Sequence, residues 1–395
     1  MQTAAILWHV SLLVPADRRA IALGIVGLVR IIPIVIFSIA GGAVADAWDR
    51  RRVMLCAQTA MGVTAIVLAV LTFRGLDHAW PIYVLAGIGS AAGAFDNPAR
   101  SALIPTLVPR EHLSNAISLN AIMFQIASVV GPAVGGIIIA TLGVGWVYAV
   151  NALTFVCVIA ALLMMHGVPS RDTREPSDVS LRAVRDGLGF VFSSPIIRST
   201  MLLDFFATFF ASATALLPIF AQDVLHVGAR GYGWLYAAPS VGAMVTSIVM
   251  VQVVERIERR GIVLLWSIVA YGGATIVFGL SAWFWLTFLC LAMTGAADMV
   301  STVLRNVIRQ LDTPDHLRGR MTGVNMVFFM GGPQLGELEA GVVAQWLGAR
   351  ASVVTGGVGC LIATAWIAAR TPALREYRRS FIDGREQARL RSVIR

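Results

Sequence analysis

The sequence predicts an all-α, polytopic membrane protein, and three observations carry that expectation. Hydrophobic residues make up 57% and charged residues 13% of the 395 positions, where a soluble chain carries roughly twice that share of charge. Apolar stretches of about eighteen residues or more recur along the whole sequence. Each is long enough, at about 1.5 Å per residue, to cross a hydrocarbon layer of about 30 Å. Finally, the second half repeats landmarks of the first in the same order. The alternating pattern of a membrane β-barrel is absent, and the mean hydropathy of +0.77 fits helical spans.

In chain order the apolar runs place helices at 1–14, 20–45, 52–73, 80–101, 115–141 and 144–166. After a polar interruption come 196–221, 230–253, 261–280, 282–304, 322–346 and 350–369. This six-plus-six pattern divides the chain into an N-terminal bundle (1–166), a linker (167–195), a C-terminal bundle (196–369) and a basic tail (370–395). Within the linker, Leu181, Val184, Leu188 and Val191 recur at helical spacing, which predicts a surface helix along the membrane or the helix ends. The first run is too short to span, covering only about 21 Å, and Met1 lacks the basic stretch of a signal peptide. An upstream start is the favoured expectation.

All 31 basic residues are arginine, and the net charge is +9. Their placement matters more than their sum. Arg18, Arg19, Arg74, Arg230 and Arg350 fall on one side of the predicted layout, and twenty-five fall on the other. The arginine-rich side is expected to be cytoplasmic, with the C-terminus there. The tail then reads as an anchor near anionic lipid rather than a nucleic-acid arm. Cys56, Cys157, Cys290 and Cys360 sit singly in separate apolar runs, which fits packing and neither a disulfide framework nor a metal site.

The duplication is legible residue by residue. Gly93, Asp96, Pro109, His112, Leu113 and Asn120 are matched in order by Gly295, Asp298, Pro314, His316, Leu317 and Asn325. Gly131, Pro132 and Gly135 are then matched by Gly332, Pro333 and Gly336, and the place of Gly136 is taken by Glu337. Two parallel copies of a six-helix unit are an architecture of transporters that rock around a central site.

With those residues in view, the chain resembles the major facilitator superfamily. "GGAVADAWDRRRVML" is similar to its loop signature at Gly42, Asp46, Arg50 and Arg51, and "VVGPAVGG" to the Gly-Pro signature of its exporter branch. "AFDNPARSALIPTLVPREHL", "LRAVRDGLGFVFSSP" and "RQLDTPDHLRGRM" resemble the subgroup that includes enterobactin and macrolide exporters. The similarity runs over nearly the whole chain and enters partway through helix 1. It implies two six-helix bundles related by a pseudo-twofold axis, a monomer, no cofactor, and proton-driven export of a small organic molecule. It also implies that the acid at Asp46 stabilises one facing state. The loop departs from the family pattern, with Ala47 where arginine is frequent and Asp49 where glycine is, so Arg50 or Arg51 is expected to take part in the charge network. A purely topological role for these arginines is the alternative.

The residues supply physical reasons of their own. Pro132 removes a backbone hydrogen bond, and Gly131, Gly135 and Gly136 remove bulk, so the fifth helix can bend or pack closely; a static kink is the plainer reading. Ionisable groups inside a membrane cost roughly 2.5 to 3.5 kcal/mol each and are kept for a pathway, a pairing or a proton relay. The candidates are Arg30, Asp96, Arg100, Asp204, Asp298, Glu337 and Glu339. Asp96 and Arg100 are four apart and can pair on one face, and Asp298 has Arg305 about two turns on. Arg30, about 24 Å above Asp46 along its helix, must find an acid or line water. Of Glu337 and Glu339, two apart on a helix, at most one faces a central cavity squarely. Phe124, Phe205, Phe209, Trp234 and Tyr236 are candidates to line a cargo cavity, with Trp8 and Phe210 beside them, although such residues more often pack or face lipid. The six histidines receive no role.

No phosphate-binding loop appears, so the chain carries no ATPase of its own, and no triad, paired-histidine or nucleotide signature marks an enzyme. An exporter working by proton antiport leads. An uptake symporter of the same fold and a non-transporting scaffold or receptor are the alternatives.

Overall fold

The computed structural model describes residues 1–165, 189–314 and 317–378, and over 38–47 and at 110, 114, 213, 318–320 and 327 the backbone alone. Twelve principal helices appear among them. The first six are α1 (Gln2–Leu13), α2 (Arg19–Ala47), α3 (Arg50–Phe73), α4 (Trp80–Leu107), α5 (Leu113–Leu142) and α6 (Val144–Met164). The second six are α7 (Pro195–Phe210), α8 (Gly228–Val253), α9 (Arg260–Leu280), α10 (Phe284–Asp312), α11 (Arg318–Leu347) and α12 (Ala349–Arg370). Nine segments of the described residues are long and apolar enough to cross a membrane. Of the remaining principal helices, α1 is short, and α4 and α11 are long but are diluted by glycine, alanine and the acids discussed below.

The elements follow the expected order, with two differences. Helices α4, α10 and α11 run further than their apolar stretches, to Leu107, to Asp312 and back to Arg318. Amphipathic turns continue a helix beyond its hydrophobic part once neighbours cover one face. The run at 196–221 is interrupted: α7 ends at Phe210, Ala211 leaves helical geometry, and short turns lead into a π-helical segment, Phe220–Val224. By contrast α2, α4, α5, α8 and α11 continue through Pro33, Pro98, Pro132, Pro239 and Pro333.

The surface is that of a lipid-facing molecule. Val251, Met164 and Leu153 are 80%, 74% and 63% exposed, respectively. Trp80, Trp146, Trp283, Trp285 and Trp346, all exposed, stand near helix ends, at the connections α3–α4, α5–α6, α9–α10 and α11–α12. Exposed tryptophans at helix ends suit a membrane–water interface.

The chain forms two compact units. One comprises Met1–Ser180, Thr214–Ala237 and Glu337–Ala349, and the other Leu181–Ala213, Ala238–Gly336 and Arg350–Arg395. In the first, α2 packs on α4, and α3 on α4 and α6. A core of Val53, Met54, Ala99, Leu103 and Leu162 closes the end near Arg50. In the second, α9 packs on α10, and Leu203, Leu264, Ile268, Leu304, Ile308 and Ile367 form the centre of its core. Val191 is buried against Ile197, Met201, Met321 and Val324. The other positions of the expected surface helix, Leu181, Val184 and Leu188, lie outside the described residues, as do the tail beyond 378 and the side chains of Gly42 and Asp46.

Candidate functional site

The loop between α2 and α3 caps helices. Asp49 accepts from the backbone N–H groups of Arg51 and Arg52 and so caps the start of α3, satisfying donors that the first turn leaves open. Arg50 Nη1 donates to the Ala102 carbonyl at 2.7 Å. Arg51 donates from Nε to the Leu162 carbonyl at 2.6 Å and from Nη2 to that of Leu163 at 2.8 Å. A guanidinium at the final carbonyls of α6 is well placed for the helix dipole. These two arginines therefore tie α3 to the ends of α4 and α6, a role beyond setting topology.

The candidate acids separate into three environments. Asp96 is 4% exposed; it accepts from Gln58 Nε2 at 2.9 Å and from Arg100 Nη2 at 2.9 Å. Both carboxylate oxygens are thus satisfied, with the i,i+4 partner expected from the sequence.

In the second unit, Asp204 and Arg305, each 1% exposed, form an ion pair at 2.9 Å. Arg305 also approaches Asp298 at 3.5 Å. One turn further along α10, the buried Arg309 donates to Asn306 Oδ1 at 2.7 Å and also to Asn325. The buried Asp204, Arg305 and Arg309 and the half-exposed Asp298 thus share one neighbourhood. The pairing of Asp204 with Arg305, a hundred residues apart, left no local mark in the sequence.

The third environment lies in the first unit and involves glycines. A Cβ on Gly136 would lie 2.6 Å from Gly233 Cα, and one on Gly233 would lie 2.7 Å from Gly136 Cα. The two backbones are in direct contact there, joining α5 to α8. A second contact joins α2 to α11: a Cβ on Gly341 would lie 2.8 Å from Gly24 Cα, and one on Gly24 would lie 3.1 Å from the Glu337 carbonyl. Gly131 and Gly135 instead face Met1. In the second unit a Cβ on Gly332 or Gly336 would overlap α7 at Phe205, Thr208 and Phe209. Gly136 in the first Gly-Pro copy and Gly332 and Gly336 in the second are therefore sites of close helix approach.

Glu337 stands one turn from Gly341 and is 5% exposed. Its Oε1 is 3.5 Å from the Thr214 hydroxyl, and its Oε2 has no hydrogen-bond partner among the described residues. The charges of Arg30, on α2, and Glu337 act on one another, and both act on Tyr236. Glu337 is thus near Arg30, without an ion pair between them in the structure. Glu339 is only partly buried, so the two glutamates do differ in direction.

The aromatic candidates are divided. Phe205 and Phe209 stack at 5.7 Å, and Phe205 meets Phe328 edge-on at 6.0 Å. Tyr236 contacts Tyr232 at 5.9 Å. Phe124 and Trp234 are exposed. The sequence reading gave no role to Gln58, Thr214, Arg309, Tyr232 or His9. His9 lies inside α1, 5% exposed, rather than at an end.

A duplicated all-α membrane fold that keeps acids and arginines among its helices defines a multi-pass membrane transporter, not an enzyme. Over residues 1–384 the chain matches the family described as transmembrane secretion effector, and it belongs to that branch of the major facilitator superfamily. It is 28% identical over 338 residues to the enterobactin exporter EntS of Citrobacter koseri, covering 86% of this chain and 80% of that protein. It is 27% identical over 340 residues to the EntS of Escherichia coli O1:K1, covering 86% and 81%. The crystal structure of a D-xylose–proton symporter superposes with a TM-score of 0.71 at 14% identity, over 92% of this chain and 93% of the other, and shares the fold.

Proposed function

We propose that the protein exports a small organic molecule, of the siderophore or drug-like class, across the cytoplasmic membrane in exchange for protons. It does so as a monomer by alternating access, with 1–166 and 196–369 as its working halves and its C-terminus in the cytoplasm. The likeness to enterobactin exporters and the exporter-type Gly-Pro signature support the direction and the cargo class. The arginine asymmetry supports the orientation, placing the α1–α2 and α11–α12 connections outside.

The placement of Glu337 beside the Gly24–Gly341 contact supports the coupling: with the orientation proposed above, Arg30, six residues after Gly24 on α2, and Glu337, four before Gly341 on α11, both fall toward the inner side of that contact. While α2 and α11 touch, the guanidinium favours the carboxylate form, and a proton bound there is released. When they part, the acid loses its cation in a sheltered position and takes up a proton from outside. The second Gly-Pro copy thus places a titratable group directly on a closing contact, where the first copy has a bare glycine.

Inverted membrane vesicles test this. Glu337→Gln is expected to abolish cargo accumulation driven by a pH gradient while leaving downhill exchange. Unchanged gradient-driven accumulation in the variant defeats the coupling role. Accumulation in right-side-out vesicles, with none in inverted ones, establishes uptake instead.

A further inference from the structure

Helix α1 is held on two sides by polar and aromatic contacts. Toward α6, Asn151 Nδ2 donates to Gln2 Oε1 at 2.6 Å, and His9 Nδ1 lies 3.3 Å from the Tyr148 hydroxyl. On the other side, the Tyr232 hydroxyl donates to the Ala4 carbonyl at 2.8 Å, Trp8 stacks on Tyr232 at 5.1 Å, and Gln222 donates to Ser11 at 2.8 Å. All these residues belong to the first compact unit. Tyr148 and Tyr232 have no exposed surface. A short helix therefore bridges α6 to α8 and the π-helical turn, and a histidine sits in the dry layer it creates.

We propose that His9 is a proton sensor on the outer side of the closure: its neutral ring keeps the layer around α1 shut, and its protonation opens that layer. The ring lies four residues from the outer end of α1, about 6 Å, whereas Glu337 is ten residues from the end of α11, about 15 Å. His9 thus lies nearer its helix's outer end than Glu337 does, behind the more exposed Asp17, Arg18 and Arg19–Asp223 pair. Among the described residues, the titratable and charged side chains on the helices around it are Tyr148 and Cys157 on α6, Arg230, Tyr232 and Tyr236 on α8, Tyr83, Asp96 and Arg100 on α4, Arg19 and Arg30 on α2, Asp223 in the π-helical turn, and Glu337 and Glu339 on α11. Helix α5 has none. Tyr148 bonds the ring, and among the described residues His9 forms no ion pair with an acid. An imidazolium in that position has no paired acid among the described residues, so it is accommodated where water reaches it. Proton binding and opening are then the same event by linkage. The inference rests on alternating access but not on Glu337 as the coupling acid. It acts in the same direction, since low external pH populates the state that loads a proton.

Spin labels at Ala16 and Arg230, in a background with the four cysteines replaced, report the separation of the outer ends in proteoliposomes by double electron–electron resonance. From pH 8 to pH 5.5 the longer distance is expected to gain at least about fivefold in population. His9→Gln should flatten that response, and Tyr148→Phe, which keeps the imidazole, should retain it with a shifted midpoint. Glu337→Gln should also retain it. A His9→Gln variant that titrates like the parent, or a Glu337→Gln variant that loses the response, overturns the proposal. A single unchanging distance in every variant, with or without cargo, overturns alternating access itself.

Discussion

The α5–α8 contact makes a quantitative prediction through Gly136. An added Cβ there meets Gly233 Cα at 2.6 Å, the Ala229 carbonyl at 2.8 Å and Gly233 N at 3.0 Å, whereas ordinary contact begins at 3.4 Å. The nearest distance is short by about 0.8 Å, and every obstacle is backbone, so relief requires the two helices to move apart. Overpacking of this kind costs about 1–3 kcal/mol, which shifts a two-state balance by about 5- to 150-fold. Gly135 supplies an internal control, since it is adjacent on the same helix but meets only the Met1 side chain, at 3.3 Å. Both substitutions gain the same helix propensity, up to about 1 kcal/mol, so that contribution cancels. Gly136→Ala should therefore populate the long Ala16–Arg230 spin-label distance, Gly135→Ala should not, and Gly24→Ala, whose nearest obstacle lies at 3.1 Å, should fall between. Equal distributions for Gly136→Ala and Gly135→Ala would refute the reasoning.

Other consequences can be measured independently. Asp204→Asn leaves Arg305 buried beside a neutral partner, and breaking a buried pair costs about 3–5 kcal/mol; the melting temperature in detergent should fall sharply, and Asp204→Leu combined with Arg305→Met should recover much of it. Arg51→Ala removes two carbonyl contacts at the end of α6 and should lower thermal stability by about 1–2 kcal/mol, with transport by the folded protein retained. Gln58→Leu deprives Asp96 of one buried hydrogen bond and should cost about 1–3 kcal/mol, read as a lower melting midpoint that Gln58→Asn restores incompletely.

Hydrophobic run length and the repeated landmarks made the fold legible, because a bilayer forces each span to satisfy its backbone internally and so writes it as a continuous stretch. The Asp96–Arg100 pair was legible for a similar reason, being four apart on one helix. Asp204–Arg305 and the nearness of Arg30 to Glu337 were not, since such neighbours are chosen by helix packing between distant segments. The break after Phe210 was invisible as well: "FFASATALLPIF" is as apolar as its flanks, and the interruption shows only where Ala211 departs from helical geometry. His9 was passed over because α1 is short, which put its interior near an expected end.

The two Gly-Pro copies match in sequence, and in the structure they make different contacts. In the first copy Gly136 lies against Gly233, and no side chain intervenes, so that contact responds only to packing. In the second copy the corresponding residue is Glu337, whose carbonyl lies against Gly24 while Gly341, one turn on, makes the glycine–glycine contact. A close approach one turn further on leaves the matching position free to carry a side chain without parting the helices. That side chain is an acid, and Arg30 on the opposing helix acts on it. An acid at position 136 would meet the α8 backbone instead, so Gly136→Glu should destroy the α5–α8 contact without creating a second coupling site. On the coupling proposed above, Glu337→Gly should leave the α2–α11 contact in place and remove its sensitivity to protons, whereas unchanged gradient-driven transport in that variant would count against the coupling role of the acid.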